Sequence, residues 1–157
     1  MECKELEKTI GYTFKDKELL KRALTTNGWV NEQRSSDTNK IQSQEVFCTL
    51  GDAVLKLILV DLLVDKFENS GSITEEKKKI EDEKTLAGIS RVFYMGKFMI
   101  TNESEREHDK IYDNNRNLAE TLEALIGAIY RDAGFCVTKE VIMKWPEVEK
   151  LVGGREG

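Results

Sequence analysis

The apolar residues of this chain recur at three- and four-residue steps rather than in alternation, which is the spacing of helices with one buried face. The pattern predicts helices at about 3–9, 16–26, 43–66, 74–98 with a break, 115–132 and 137–151. A single proline, Pro146, and few Gly/Pro turn clusters leave room for helices of that length. In 43–66 the stripe expected to face the core is Val46, Leu50, Val54, Leu57 and Val64; in 115–132 it is Leu118, Leu122, Leu125, Ile126 and Ile129. Two windows carry no apolar period: 31–42 reads as a mobile surface loop, and 101–114 as a second polar connection. The expected class is all-α, with one domain over 1–152 and a frayed tail over 153–157.

Composition narrows the function. The 157 residues suit one core, and 39% hydrophobic with 34% charged residues excludes wholesale disorder. With 24 Lys and Arg against 29 Asp and Glu, the net charge of −5 excludes a grip on nucleic acid through bulk positive charge, so any such contact is local. No apolar run approaches the ~18 residues of a membrane span. Cys3, Cys48 and Cys136 are odd in number and widely spaced, which argues against a disulfide framework or a thiolate zinc site. An intracellular protein, cytoplasmic or nuclear, is expected, with no membrane partner. His108, the one histidine, reads as a solvated bystander.

The candidate chemistry is carboxylate. Glu45, Cys48 and Asp52 follow one another at helical steps on a side away from the stripe, and Gly51 beside them admits close packing. In 115–132, Glu120 and Glu123 are three apart and are the only charges from Leu118 to Tyr130. Two readings fit: a solvated helix face, or half-buried acids that repel one another without an Arg or Lys at helical spacing and call for a hydrated divalent ion. Magnesium takes carboxylate oxygens, water and substrate phosphate, so Asp52 on a neighbouring helix would complete such a site.

Leu50-Gly51-Asp52-Ala53-Val54-Leu55, preceded by Glu45 and followed by Leu118-Ala119-Glu120-Thr121-Leu122-Glu123-Ala124-Leu125 and Gly127, resembles the ribonuclease III endonuclease domain. The likeness extends to the opening Leu6 to Phe14, Leu19-Leu20, Ala23-Leu24-Thr25, Trp29-Val30-Asn31-Glu32, Gly71-Ser72-Ile73-Thr74 and Leu86-Ala87, roughly residues 5–145. The resemblance implies a helical domain that pairs into a homodimer around double-stranded RNA. It also implies an endoribonuclease that uses magnesium, with manganese as a substitute, to hydrolyse phosphodiesters. On this likeness Asp52, Glu120 and Glu123 hold the metal, and Glu45 joins them as a catalytic acid.

Two positions depart from the family pattern. Cys48 stands where the family has its signature glutamate, a degenerate catalytic position, and a thiol is a poor magnesium ligand. Glu45 lies one turn from Cys48 but about two turns, roughly 10 Å, from Asp52, and does not fully substitute for the missing glutamate. Thr49 stands where the family has a phenylalanine that packs across the dimer, a loss of ~1–3 kcal/mol of apolar burial per side. These departures keep open a catalytically impaired domain that binds double-stranded RNA or a partner subunit, and a heterodimer with a complete nuclease. Lys77, Lys78 and Lys79, interspersed with acids, are weaker candidates for phosphate contacts, and Lys84, Arg91 and Lys97 extend the basic population.

Overall fold

The computed structural model describes residues 3–33, 42–107 and 110–153. His108, residues 34–41 of the predicted loop and residues 154–157 of the predicted tail lie outside the described residues. In chain order, α1 (Lys4–Ile10), α2 (Lys17–Leu24) and α3 (Asn27–Gln33) lead to α4 (Glu45–Leu63). Then come α5 (Ser70–Glu81), α6 (Glu83–Val92), α7 (Met95–Phe98), α8 (Glu103–Glu107), a 3-10 turn (Ile111–Asp113), α9 (Asn115–Ile142) and α10 (Val148–Gly153). The all-α expectation holds among the described residues. No helix of these residues is long and apolar enough to cross a membrane.

Local chemistry sets the helix starts. The side chains of Asp16, Asn69 and Asn114 accept from the backbone N–H of Glu18, Ser72 and Asn117 at 3.0, 2.8 and 3.2 Å, satisfying donors that a helix leaves unpaired. The break expected within 74–98 falls at Asp82, which is extended (φ −60°, ψ 137°). Helix α9 runs beyond 132, bending at Gly134, whose φ of 85° and ψ of 178° only glycine adopts without strain. The continuous helix expected over 137–151 is interrupted, because Pro146 lacks an N–H and disfavours helical backbone at the residue before it. Trp145 instead turns inward, its indole N–H donating to the Ile10 carbonyl at 2.8 Å.

Helix α9 is the central element, packed most extensively against α4 and then against α6 and α2. Its predicted stripe is buried throughout. The stripe predicted on α4 is not: only Val54 is buried, while Val46, Leu57 and Val64 are 62%, 57% and 49% exposed. The face of α4 that meets the core is Phe47, Gly51, Val54, Leu55, Ile58, Leu59 and Leu63. This helix is apolar on two faces, so periodicity alone could not assign the inner one.

The N-terminal turn is tied to the C-terminal half of α9 by Asp132, which accepts from the Tyr12 hydroxyl at 2.6 Å and from the backbone N–H of Lys15 and Asp16 at 2.7 and 3.1 Å. Partial burial acts to raise its carboxyl, but those donors outweigh burial and hold it below the usual aspartate range. A depressed folded value means stabilisation that is full above the ordinary aspartate pKa of ~3.9 and is lost as pH falls through the folded value. Asp132→Asn is therefore expected to cost about 1 kcal/mol at pH 7, a low figure for charge-assisted bonds because solvent reaches the site. Urea unfolding at pH 7 and at pH 3 checks this, with the difference between variant and parent shrinking at the lower pH.

Candidate active site

Helices α4 and α9 cross at Gly51 and Gly127. A β-carbon at Gly51 would collide with the Glu123 carbonyl, and one at Gly127 would collide with the Phe47 carbonyl and lie 3.1 Å from the Gly51 amide nitrogen. The two backbones touch because neither carries a side chain there. This close approach sets the distance between the acids of one helix and those of the other. Gln44, buried at the start of α4, pins the crossing by donating from Nε2 to the Ala23 carbonyl at 2.8 Å and to Thr121 Oγ1 at 3.2 Å.

Beside the crossing lies a polar cavity of about 560 Å³ lined by Glu45, Cys48, Thr49 and Asp52 from α4 and by Glu120 and Glu123 from α9. The candidate acids read from the sequence thus share one cavity. Glu45 Oε2 accepts from Asn27 Nδ2 at 3.4 Å, at the edge nearest α3. Asp52 accepts from Lys56 at 3.0 Å, and Glu120 from Arg116 Nε at 3.0 Å. Among the described residues no cation pairs with Glu123: burial, then the charge and hydrogen bond of Asp52, then Glu120, push its carboxyl up to about 8.

The Cys48 thiol donates to the Glu120 carbonyl at 3.0 Å, and burial followed by the charges of Glu120 and Glu123 pushes it up to about 12. It is a protonated, half-buried group bonded to backbone. A hard cation prefers oxygen donors, and the cavity is lined by the carboxylates of Asp52, Glu120 and Glu123, so the donor chemistry fits a divalent ion of that class. Among the described residues, no three acidic, cysteine or histidine side chains converge on one point as they stand, with Asp52 and Glu120 drawn toward Lys56 and Arg116.

The expectation that no Arg or Lys lies at helical spacing is corrected here. Arg116 precedes Glu120 by four and Lys56 follows Asp52 by four, spacings legible in the sequence. Glu105 is a further acid of this cavity that the sequence reading passed over. It accepts from Thr26 Oγ1 at 2.7 Å and from the Asn102 N–H at 3.0 Å, while Asn102 Oδ1 accepts from the Glu105 N–H at 2.7 Å. That reciprocal pair is a capping box, so Asn102 and Glu105 at a spacing of three were the missed signal for α8. Of the three weaker lysines, Lys77 and Lys79 pair with Glu81 and Glu76 on their own helix at 3.4 and 2.8 Å. None of the three lines the acidic cavity.

Comparison with known proteins meets the same residues. The family model described as Ribonuclease-III-like matches residues 16–147. Ribonuclease 3 of Wolbachia sp. subsp. Brugia malayi (strain TRS) is 36% identical over 148 residues, a match covering 92% of this chain and 59% of that protein. Ribonuclease 3 of Pseudomonas fluorescens (strain Pf0-1) is 33% identical, covering 97% and 60%. The chain thus spans about 60% of the length of these curated relatives. A nuclease-domain structure of ribonuclease III from Campylobacter jejuni, described for flexibility in the region involved in its dimer formation, superposes with a TM-score of 0.82 at 30% identity, covering 97% of this chain and 99% of that one. With a shared fold and a family model that runs through both acidic helices, the chain belongs to the ribonuclease-III-like family.

Proposed function

We propose that this chain is the nuclease domain of a divergent ribonuclease III that cleaves double-stranded RNA by divalent-metal-assisted phosphodiester hydrolysis. The observation that carries the proposal is the meeting of Asp52, Glu120 and Glu123, from two helices in backbone contact, in one polar cavity. Those three side chains would hold magnesium or manganese. When bound, such an ion supplies positive charge against the scissile phosphate and acidifies water. The chain's own groups do the rest. With the ion bound, Asp52, Glu120 and Glu123 would turn to it as carboxylates, Lys56 and Arg116 would be released from Asp52 and Glu120 to meet the RNA backbone, and Asn27 and Asn117 line the approach.

The exposed face of α4 supports self-association. Val46, Leu57 and Val64 are uncovered on it, with Thr49 and Ala53 exposed and Leu50 and Val60 half-exposed between them. An apolar face of this extent on a surface helix marks an interaction site. Thr49 belongs both to this face and to the acidic cavity, so a second copy docked here sets two cavities beside one interface. The proposed partner is a second copy of the chain, and a complete nuclease subunit fits the same face.

Incubating a long RNA duplex with the chain and manganese, beside a Glu123→Gln control, tests the proposal. It predicts cutting by the parent alone; equal cutting by both overturns it. The protonated Cys48 favours a second reading, in which the domain binds duplex RNA without cutting. Cys48→Glu restores a fourth carboxylate and is expected to raise the cleavage rate at least about tenfold, on the scale of metal-site substitutions. If only Cys48→Glu cuts, and the parent matches the Glu123→Gln control, the binding reading replaces the first.

A further inference from the structure

A second cavity, of about 600 Å³, takes its lining partly from the chain segments that also line the acidic one. Neighbouring residues in the chain divide between the two. Glu105, Ile111 and Asn117 line the acidic cavity, whereas Arg106, Tyr112 and Leu118 line this groove. The volume is that of a small-ligand site, ~300–1,000 Å³. Its character is the reverse of its neighbour's, with an apolar floor of buried Met95, Met99 and Leu118 beneath a basic and aromatic rim.

The rim carries Arg91, Lys97 and Arg106 together with Tyr94 and Tyr112. Arg91 is held by Asp113, with Nε and Nη2 both 3.2 Å from Oδ1. Lys97 reaches Glu5 only at 3.5 Å between two exposed side chains, a pair of little strength. Arg106 is exposed and has no ionic partner among the described residues. Tyr94 is 73% exposed and Tyr112 45%, so two large rings stand in solvent at the mouth. Tyr94 is also left-handed (φ 53°, ψ 37°), a strained conformation for a bulky residue and one that concentrates at binding sites. Exposed rings interleaved with cations over an apolar floor suit a base that stacks and phosphates that pair, the mode by which single strands are held.

We infer that this groove binds unpaired nucleotides of an RNA strand adjoining the acidic cavity, with a base stacked on Tyr94 or Tyr112 and phosphates on Arg106 and Lys97. The choice of RNA over another polyanion rests on the nuclease reading of the adjoining cavity. Fluorescence anisotropy with a labelled single-stranded adenosine hexaribonucleotide, in EDTA and without any duplex, tests it. The full chain is expected to bind with salt-dependent affinity. Kd should rise about tenfold in Tyr94→Asn, whose side chain tolerates left-handed backbone, and in Tyr112→Ser, as loss of a stacking platform requires. Arg106→Ala, an exposed change that leaves the fold alone, should weaken binding severalfold, whereas Lys144→Ala, at an exposed lysine that does not line the groove, should not. No binding by the parent, or equal affinity in the tyrosine variants and the parent, overturns the inference. Because the assay contains neither metal nor duplex, its failure leaves the duplex-cleavage result untouched, and failure to cut a duplex does not alter its readout.

Discussion

Gly51→Ala is expected to destabilise the domain by about 3 kcal/mol or more, and Gly127→Ala similarly, although alanine is the better helix former by ~1 kcal/mol. The added methyl at Gly51 meets the Glu123 carbonyl, and that at Gly127 meets the Phe47 carbonyl. Backbone carbonyls inside packed helices cannot rotate away as a flexible side chain would, so the helices must separate. The same movement widens the cavity, and the acids of α4 and α9 no longer share it. Gly88, inside α6 with nothing within 4 Å of a built β-carbon, supplies the opposite sign. Gly88→Ala should stabilise by ~0.5–1 kcal/mol, as alanine does at an unobstructed helix position. Urea unfolding of the three variants decides the matter. A stabilised Gly51→Ala would mean that the helices do not touch there.

Glu123→Gln is expected to change stability and activity in opposite directions. Without divalent ions the amide relieves the repulsion among Glu123, Asp52 and Glu120 in a half-buried site, so the melting temperature should rise by a few degrees, equivalent to about 1 kcal/mol. Cleavage of duplex RNA should fall at least about a hundredfold, the upper range for groups that merely support a metal ligand. The rise in melting temperature that manganese produces in the parent should vanish, since ligand-induced stabilisation requires the site. A gain in stability with loss of function is the mark of an acid kept for chemistry at the expense of folding. A variant less stable than its parent in EDTA would point to a structural role for Glu123.

Much of this molecule was legible in its sequence, and the failures have identifiable causes. The stripe of α9 was read correctly because that helix is surrounded by protein and its five aliphatic positions all face the core. The α4 stripe was misassigned because Val46, Leu57 and Val64 keep helical register as well as Ile58 and Leu59 do, and the sequence does not say which apolar face meets α9. The acids of the cavity were found by spacing and by likeness to a family, but their counterions were not. Arg116 and Lys56 lie on the polar flanks, where a charge ordinarily means only solvent. Glu105 was hidden in a segment too short for apolar periodicity, and the capping pair with Asn102 was its only local signal. The basic groove could not be read at all, since it gathers Arg91, Lys97, Arg106 and Tyr112 from separate elements.

The central claim is that carboxylates from α4 and α9 jointly hold one divalent ion, and anomalous diffraction from crystals of the chain soaked in manganese tests it most directly. The account predicts one manganese peak within coordination distance of both Asp52 and Glu123 in the parent and no peak there in Glu123→Gln. Manganese bound only elsewhere, or retained at that position in the variant, would contradict it.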